Sequence, residues 1–248
     1  YNRSDYLLKD MTMAFITEFE FYLKTEKRFM QNTIYKTLQR FRQIVKLSVA
    51  LDYLPKDPFL LYKGKKPKKE IIFLSKDELR NLEQHQFASE RLQQVADMFI
   101  FCCYTGLAYT EMATLKESNI QTGFDDNKWL YIRRQKTKKS YEVPLLTKAS
   151  DILDKYRTED QLLPIVSNQR FNSYLKEIAE IVGIDKILTH HIARKTFAST
   201  ILLFNNVPME IVSELLGHSE IGVTQQHYAK IVKEKISEEM GKLNSRLE

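Results

Sequence analysis

Residues 128–145, from Lys128 to Leu145, read KWLYIRRQKTKKSYEVPL, and they set the fold class. Trp129-Leu130-Tyr131-Ile132-Arg133-Arg134 and Tyr141-Glu142-Val143-Pro144-Leu145 are short runs rich in aromatic and aliphatic residues. Each predicts a strand. The connection from Gln135 to Ser140 is short and lysine-rich, so the two strands read as a hairpin. Arg134 and Lys136 are two apart, and on an extended chain they point to the same side. Six basic residues and no acid lie between Lys128 and Tyr141. The same pattern alone also fits a solvated turn. Both flanks have the period of helices, so the expected fold is mainly α with a small antiparallel sheet.

Upstream, Phe15, Phe19, Tyr22 and Leu23 recur at helical spacing, as do Ile34, Leu38, Phe41 and Val45. Asn32 is placed to cap the second run. Leu54-Pro55 and Asp57-Pro58 end it, because a residue before proline disfavours the α region. Lys63-Gly64-Lys65-Lys66-Pro67-Lys68-Lys69 then reads as a linker between two periodic stretches. Ser75-Lys76-Asp77-Glu78 has the form of a capping box and starts a helix. The next helix buries Leu92, Val95, Ala96, Phe99, Ile100 and Cys103, and Gly106 stops it.

Downstream, a helix over 169–182 carries Phe171, Tyr174, Leu175, Ile178 and Ile181 and stops at Gly183. Another is expected over 190–204. Pro208 suits the first turn of the next and Gly217 its end. The tail after Tyr228 is charged and helix-compatible.

Composition narrows the classes further. The chain has 248 residues, 43% of them hydrophobic, which is too many for a disordered chain. No apolar run approaches the length needed to span a bilayer, and no signal peptide is apparent. Cys102 and Cys103 are the only cysteines. Adjacent and buried in a helix pattern, they fit a reducing intracellular setting and core packing. Net charge is +6, but residues 1–69 hold 15 basic and 7 acidic side chains and the rest hold 23 and 25. So basic an N-terminal part fits a polyanion partner; it equally fits a solvated, lysine-rich helical face. The sequence begins at Tyr1, not Met, which reads as a fragment of something longer.

Three local patterns carry chemistry. In His190-His191-Ile192-Ala193-Arg194, His191 and Arg194 share a helix face, and a His beside an Arg can grip one phosphate. In Leu215-Leu216-Gly217-His218-Ser219 a histidine follows a glycine-terminated helix, and Tyr228 lies ten residues beyond it. The third is the lysine-rich hairpin. Singly, a solvated helix face, a helix cap and a surface turn account for them as well.

Their order is specific. Lys136 in a hairpin, then His191-x-x-Arg194, then Leu-Gly-His218, then Tyr228 resembles the catalytic domain of the tyrosine recombinases, the phage-integrase family. Thr105-Gly106-Leu107 is similar to the first box of that family, Val143-Pro144-Leu145 follows Lys136 at its hairpin spacing, and Arg194-Lys195-Thr196-Phe197-Ala198 matches the stretch after its second histidine. The resemblance covers nearly the whole chain and implies three parts: a helical core-binding (SAM-like) DNA-binding domain at 1–62, a linker at 63–70 and a mixed α/β catalytic domain at 71–248. One departure stands out. The family has arginine directly after Thr-Gly-Leu, and this chain has Ala108. Losing one of two arginines at a scissile phosphate costs several kcal/mol of transition-state stabilisation. Integrases of Bacteroides-type conjugative and mobilisable transposons resemble this chain in lacking that arginine and in the ten-residue step to the tyrosine; there an arginine two residues before the hairpin lysine is the stand-in, the place of Arg134.

The resemblance implies a site-specific recombinase acting on double-stranded DNA for integration or excision of a mobile element, in the cytoplasm and at the nucleoid. Tyr228 would attack the phosphorus and leave a 3′-phosphotyrosyl bond and a free 5′-hydroxyl. Arg194 and Arg134 would stabilise the non-bridging oxygens. Lys136 would protonate the leaving oxygen, with Lys138 as the second choice. His191 would assist the tyrosine or hold the phosphate, and His218 would donate a hydrogen bond to it. Lys63, Lys65, Lys66 and Lys68 of the linker, and Arg133, Lys138 and Lys139 of the hairpin, are expected on the DNA backbone. No metal and no cofactor is expected. The partners implied are a homo-tetramer on two duplexes and DNA-bending accessory proteins, with no membrane. His190 and His227 read as flanking and Trp129 as core. The alternatives are a catalytically impaired DNA-binding or bridging protein of the same fold, motivated by Ala108, and a related topoisomerase.

Overall fold

The computed structural model describes residues 6–67, 71–134, 139–159, 161–218, 221–222, 224–225, 236–237, 240–241 and 243–246. The chain divides into two compact units, Tyr1–Glu70 and Ile71–Glu248.

The first unit is built on two helices, α1 (Met13–Thr25) and α2 (Gln31–Ala50). Thr12 caps α1 by accepting from the Phe15 amide at 3.3 Å. The helices bury Ile16, Leu23, Ile34, Leu38 and Val45, and the following segment adds Leu54 and Phe59. Around these run the edge-on rings of Phe41, Phe59 and Tyr62, with neighbouring centroids 5.5 and 5.6 Å apart, a favoured aromatic geometry. Asp57 holds the turn before Phe59 by accepting its amide at 2.8 Å. Asn32 does not cap α2. The Met30 carbonyl already accepts from the amides of Thr33 and Ile34, so the helix begins at Gln31 and Asn32 lies inside its first turn.

The second unit centres on α4 (Glu90–Thr105), whose buried face includes Leu92, Val95, Phe99, Cys102 and Cys103. Ahead of it, α3 (Lys76–Gln84) starts with the expected capping box: the Glu78 amide donates to Ser75 Oγ at 3.2 Å and the Ser75 amide to Glu78 Oε2 at 2.6 Å. Gly106 ends α4 at φ +69, and α5 (Tyr109–Ala113) follows. Three strands form one antiparallel sheet in chain order: β1 (Ile120–Thr122), β2 (Lys128–Arg133) and β3 (Ser140–Pro144). Leu130 faces Val143 and Ile132 faces Tyr141 across the ladder, and all four are buried. Trp129 points the other way. It is half-exposed and donates its indole N–H to Asp125 at 2.8 Å, so it is not a core residue; strand alternation sends it to the face opposite Leu130.

After the sheet come α6 (Thr147–Tyr156), α7 (Asn168–Val182, closed by Gly183 at φ +74), α8 (His190–Thr196) and α9 (Met209–Leu215). Helices α6, α7 and α8 all pack on α4. The single helix expected over 190–204 is broken. Phe197–Leu202 winds as a π turn and Leu203–Asn205 as a 3-10 turn. Pro208 is the N-cap of α9 rather than its first residue. Neither β1 nor α6 was legible beforehand: β1 is three residues long without apolar alternation, and α6 buries only Ala149, Ile152 and Leu153. No helix among the described residues is long and apolar enough to cross a membrane.

Candidate active site

The site forms where two helix ends meet the hairpin. Gly106 closes α4 and Leu216 closes α9. The last carbonyls of a helix have no partner within it and carry the negative end of its dipole. Arg194, near the end of α8 and only 4% exposed, answers both. Its Nη1 donates to the Gly106 carbonyl at 2.5 Å and its Nη2 to the Leu216 carbonyl. Thus a cation in the interior is fixed by two helix termini.

A second guanidinium reaches the same corner from the sheet. Arg134 directly follows β2, and its amide donates to the Lys139 carbonyl at 2.8 Å, closing the mouth of the hairpin. Its Nη1 donates to the Gly217 carbonyl at 3.0 Å. Arg134 and Arg194 therefore hold consecutive carbonyls, those of residues 217 and 216. Burial, and then the neighbouring charge of Arg194, pull the pKa of Arg134 below its ordinary value, against the opposing pull of Glu111. It stays cationic at any working pH.

Glu111 lies between these parts, 5% exposed. Its Oε2 accepts from the Ala108 amide and from the Tyr141 hydroxyl, both at 2.8 Å. Its Oε1 is 3.9 Å from Arg134 Nε. Burial and the Glu111 charge push the Tyr141 phenol well above its usual range, so Tyr141 stays protonated and donates. Its ring also fills the space under Gly217, where an added Cβ would come within 2.9 Å.

His218 follows at the same corner. Its amide donates to the Ser213 carbonyl at 3.1 Å, and its Nδ1 meets the hydroxyl of buried Thr224 at 2.7 Å, which fixes the ring's direction. Lys139 Nζ donates to the His218 carbonyl at 3.2 Å and lies 3.4 Å from Glu214 Oε2. This lysine, expected on the DNA backbone, ties the hairpin to the His218 corner, because a carboxylate and a backbone carbonyl lie within its reach.

His191 is exposed on the first turn of α8, while Arg194 on the same helix is buried. His190 is a core residue. Its Nε2 lies 3.2 Å from Cys102 Sγ, its ring packs on Tyr109 and Phe171, and its amide donates to Asn172 at 2.8 Å. Arg133 is exposed at the end of β2, and Lys63, Lys65 and Lys66 are exposed in the first unit. Lys136, Lys138, Tyr228 and Lys68 lie outside the described residues, as does His227. Among the described residues, no group of three His, Cys, Asp or Glu side chains is placed to hold a metal ion.

Of the residues expected from sequence, the structure brings Arg134, Arg194 and His218 to one corner. It adds Glu111 and Tyr141, which sequence reasoning missed. The cue to Glu111 was Ala108-x-x-Glu111, the spacing at which an N3 carboxylate reaches back to an N-cap amide. Ala108 has no oxygen to complete the motif, so the cue is half hidden.

The profile of the phage integrase family matches residues 73–235, and that of the phage integrase SAM-like domain matches residues 1–67. Fold and corner together define a tyrosine recombinase, an enzyme of site-specific DNA recombination. The chain belongs to the phage integrase family. It is similar to the tyrosine recombinase XerC of Pediococcus pentosaceus, with 28% identity over 236 residues covering 86% of this chain and 76% of the relative. It is also similar to the tyrosine recombinase XerC of Bacillus pumilus, with 29% identity over 221 residues covering 81% and 71%. Among solved structures, the Tn1549 transposon integrase in complex with circular intermediate DNA superposes with a TM-score of 0.72 at 16% identity, over 89% of this chain and 82% of that one. A lambda integrase dimer bound to a core site superposes with a TM-score of 0.68 at 18% identity, over 91% and 82%.

Proposed function

We propose that this chain integrates or excises a mobile element, cutting and rejoining double-stranded DNA with Tyr228 as the nucleophile. The observation that carries the reading is the arginine pair: Arg194 and Arg134 hold the consecutive carbonyls of Leu216 and Gly217, directly before His218. Two guanidiniums at one corner suit the non-bridging oxygens of one phosphodiester, where fixed charge stabilises a transition state most. Ala108 then removes no essential charge, since Arg134 supplies the second cation from the hairpin.

In this mechanism Tyr228 attacks phosphorus, forms the 3′-phosphotyrosyl bond and expels the 5′-oxygen; Lys136 gives that oxygen its proton. His191 accepts the tyrosine proton or holds the phosphate, and His218 donates a hydrogen bond to it. The bond kept in the intermediate is attacked by another 5′-hydroxyl to rejoin the strand. The unit at 1–62 grips the other side of the duplex, joined through 63–70 to the catalytic part at 71–248. Exposed Lys63, Lys65, Lys66 and Arg133, together with Lys68, Lys138 and Lys139, contact phosphates, which position a protein without reading sequence. The enzyme works as a homo-tetramer on two duplexes, aided by DNA-bending proteins, at the nucleoid in the cytoplasm. The Tn1549 neighbour supports a mobile-element role, and Ala108 with Arg134 supports kinship with the Bacteroides-type transposon integrases.

The test is trapping on a nicked duplex bearing the terminal sequence of the element that carries the gene. The parent should form a covalent protein–DNA adduct that survives denaturant, and Tyr228→Phe should form none. DNA binding by the parent without an adduct would favour instead an impaired bridging protein, the reading that Ala108 motivates.

A further inference from the structure

We infer that Cys102, Met112 and His190 form a buried site for one soft monovalent metal ion, of the copper(I) class, set among the helices that cradle Arg194.

Three soft donors meet around one sulfur. His190 Nε2 lies 3.2 Å from Cys102 Sγ, and Met112 Sδ lies 3.4 Å from it. They come from three helices: Cys102 from α4, Met112 from α5 and His190 from α8. All three are out of water, Cys102 at 0%, Met112 at 3% and His190 at 5% exposed. Thiolate, thioether and imidazole are the ligand set that favours copper(I) over harder ions. Charge points the same way. Cys102 supplies one negative charge once its thiol proton leaves, and the other two supply none. A monovalent ion then completes a neutral group, which an apolar interior tolerates. A divalent ion such as zinc would leave an uncompensated positive charge there.

The distances need only a small adjustment. Bonds of about 2.0 Å to nitrogen and about 2.3 Å to sulfur spread three donors roughly 3.7–4.0 Å apart in a trigonal plane. The side chains therefore part by roughly half an ångström. Met112 gives that room, because a methionine side chain adapts readily and α5 is only five residues long. Local opening of so short a helix also admits the ion. On binding, the Cys102 S–H bond breaks, a sulfur–metal bond forms and the proton passes to solvent; no electron is transferred. The site shares its backbone with the arginine corner. The Cys102 carbonyl accepts the Gly106 amide at 2.9 Å, and the Gly106 carbonyl in turn accepts Arg194. His190 lies one turn before Arg194 on α8. Drawing the three donors onto an ion thus disturbs the cradle of Arg194 and slows cleavage.

The experiment is an anaerobic titration of the full chain with copper(I) held by the chelator bicinchoninate. The parent should withdraw one equivalent, release one proton and gain the ultraviolet absorption of a copper–thiolate bond. Cys103→Ser, at the neighbouring buried cysteine, should bind as the parent does. Cys102→Ser should weaken binding at least a hundredfold, the upper end of what even a supporting residue costs a metal site. Met112→Leu keeps the volume of the core and decides the matter should Cys102→Ser not fold; it should bind at least tenfold more weakly. On a nicked duplex, the copper-loaded parent should cleave on the order of tenfold more slowly, since a misplacement of about 1 Å costs about a hundredfold. Excess chelator should restore the rate, and Met112→Leu should cleave equally with and without copper at a concentration that loads only the parent. Failure of the parent to withdraw copper overturns the inference. So does binding that Cys102→Ser and Met112→Leu leave intact. Parent-rate cleavage by the loaded chain would overturn the link to Arg194. A chain that cleaves no duplex would overturn the proposed function, and the titration would still decide the metal site.

Discussion

At the scale of single residues, neighbouring histidines in one motif have opposite fates. His191 is exposed, while His190 sits between Tyr109, Phe171 and Cys102. Burial first, and then the charges of His191 and Arg194, push the His190 imidazole down from 6.5 to about 4. Between those values the unfolded chain takes up a proton that the folded chain refuses. Stability is therefore fully present above pH 6.5 and falls as pH drops toward 4. From roughly pH 7.5 to pH 5 this one group costs about 2 kcal/mol. Urea unfolding at the two pH values should show the parent losing about 2 kcal/mol more than His190→Gln; parallel losses would show that His190 titrates normally. The order of the motifs named Arg194 from sequence through its resemblance to the family; alone, His191-x-x-Arg194 fits a solvated helix face as well. Glu111 and Tyr141 stayed hidden, because their roles come from contacts between residues 30 apart in the chain.

Individual elements were legible in proportion to the strength of their local signals. The α3 capping box was plain, since Ser75 and Glu78 carry both halves of it. Removing one half should cost about 1 kcal/mol. Ser75→Ala is therefore expected to lower the unfolding free energy measured in urea by that amount and to leave DNA cleavage at low temperature unchanged, because α3 contributes no residue to the arginine corner. A change in cleavage with no loss of stability would contradict this. The strands β2 and β3 were also legible, from their short runs of aromatic and aliphatic residues. The π turn at Phe197–Leu202 was not. All but Ile201 of its residues are buried, Ser199 and Thr200 among them, so no apolar face repeats along it to reveal its period. Its first residue packs against Gly106, where a Cβ would lie 2.4 Å from the Phe197 ring, so the glycine both ends α4 and admits the turn that follows Arg194. The surroundings of Lys139 were also not legible: the fold brings Glu214 and the His218 carbonyl to it across 75 and 79 residues.

The whole molecule carries its charge in one place and its chemistry in another. Residues 1–69 hold the excess of 15 basic over 7 acidic side chains, while the remainder is slightly acidic. Each unit has its own core, one around Ile16, Leu38 and Phe59 and the other around Phe99, Phe171 and Leu175. Net charge alone would have pointed only to the first unit. The second gathers Arg134 and Arg194 at carbonyls 83 and 22 residues away from them in sequence, and the proposed phosphate site rests on this convergence within a nearly neutral unit. The most direct test of that account is the single-turnover cleavage rate of Arg134→Ala beside Arg194→Ala on the same nicked duplex. The account predicts that each loses about a hundredfold or more, as expected when one of two fixed donors to a developing charge is removed. Parent-rate cleavage by Arg134→Ala, with Arg194→Ala inactive, would contradict it and reduce Arg134 to a strut of the hairpin.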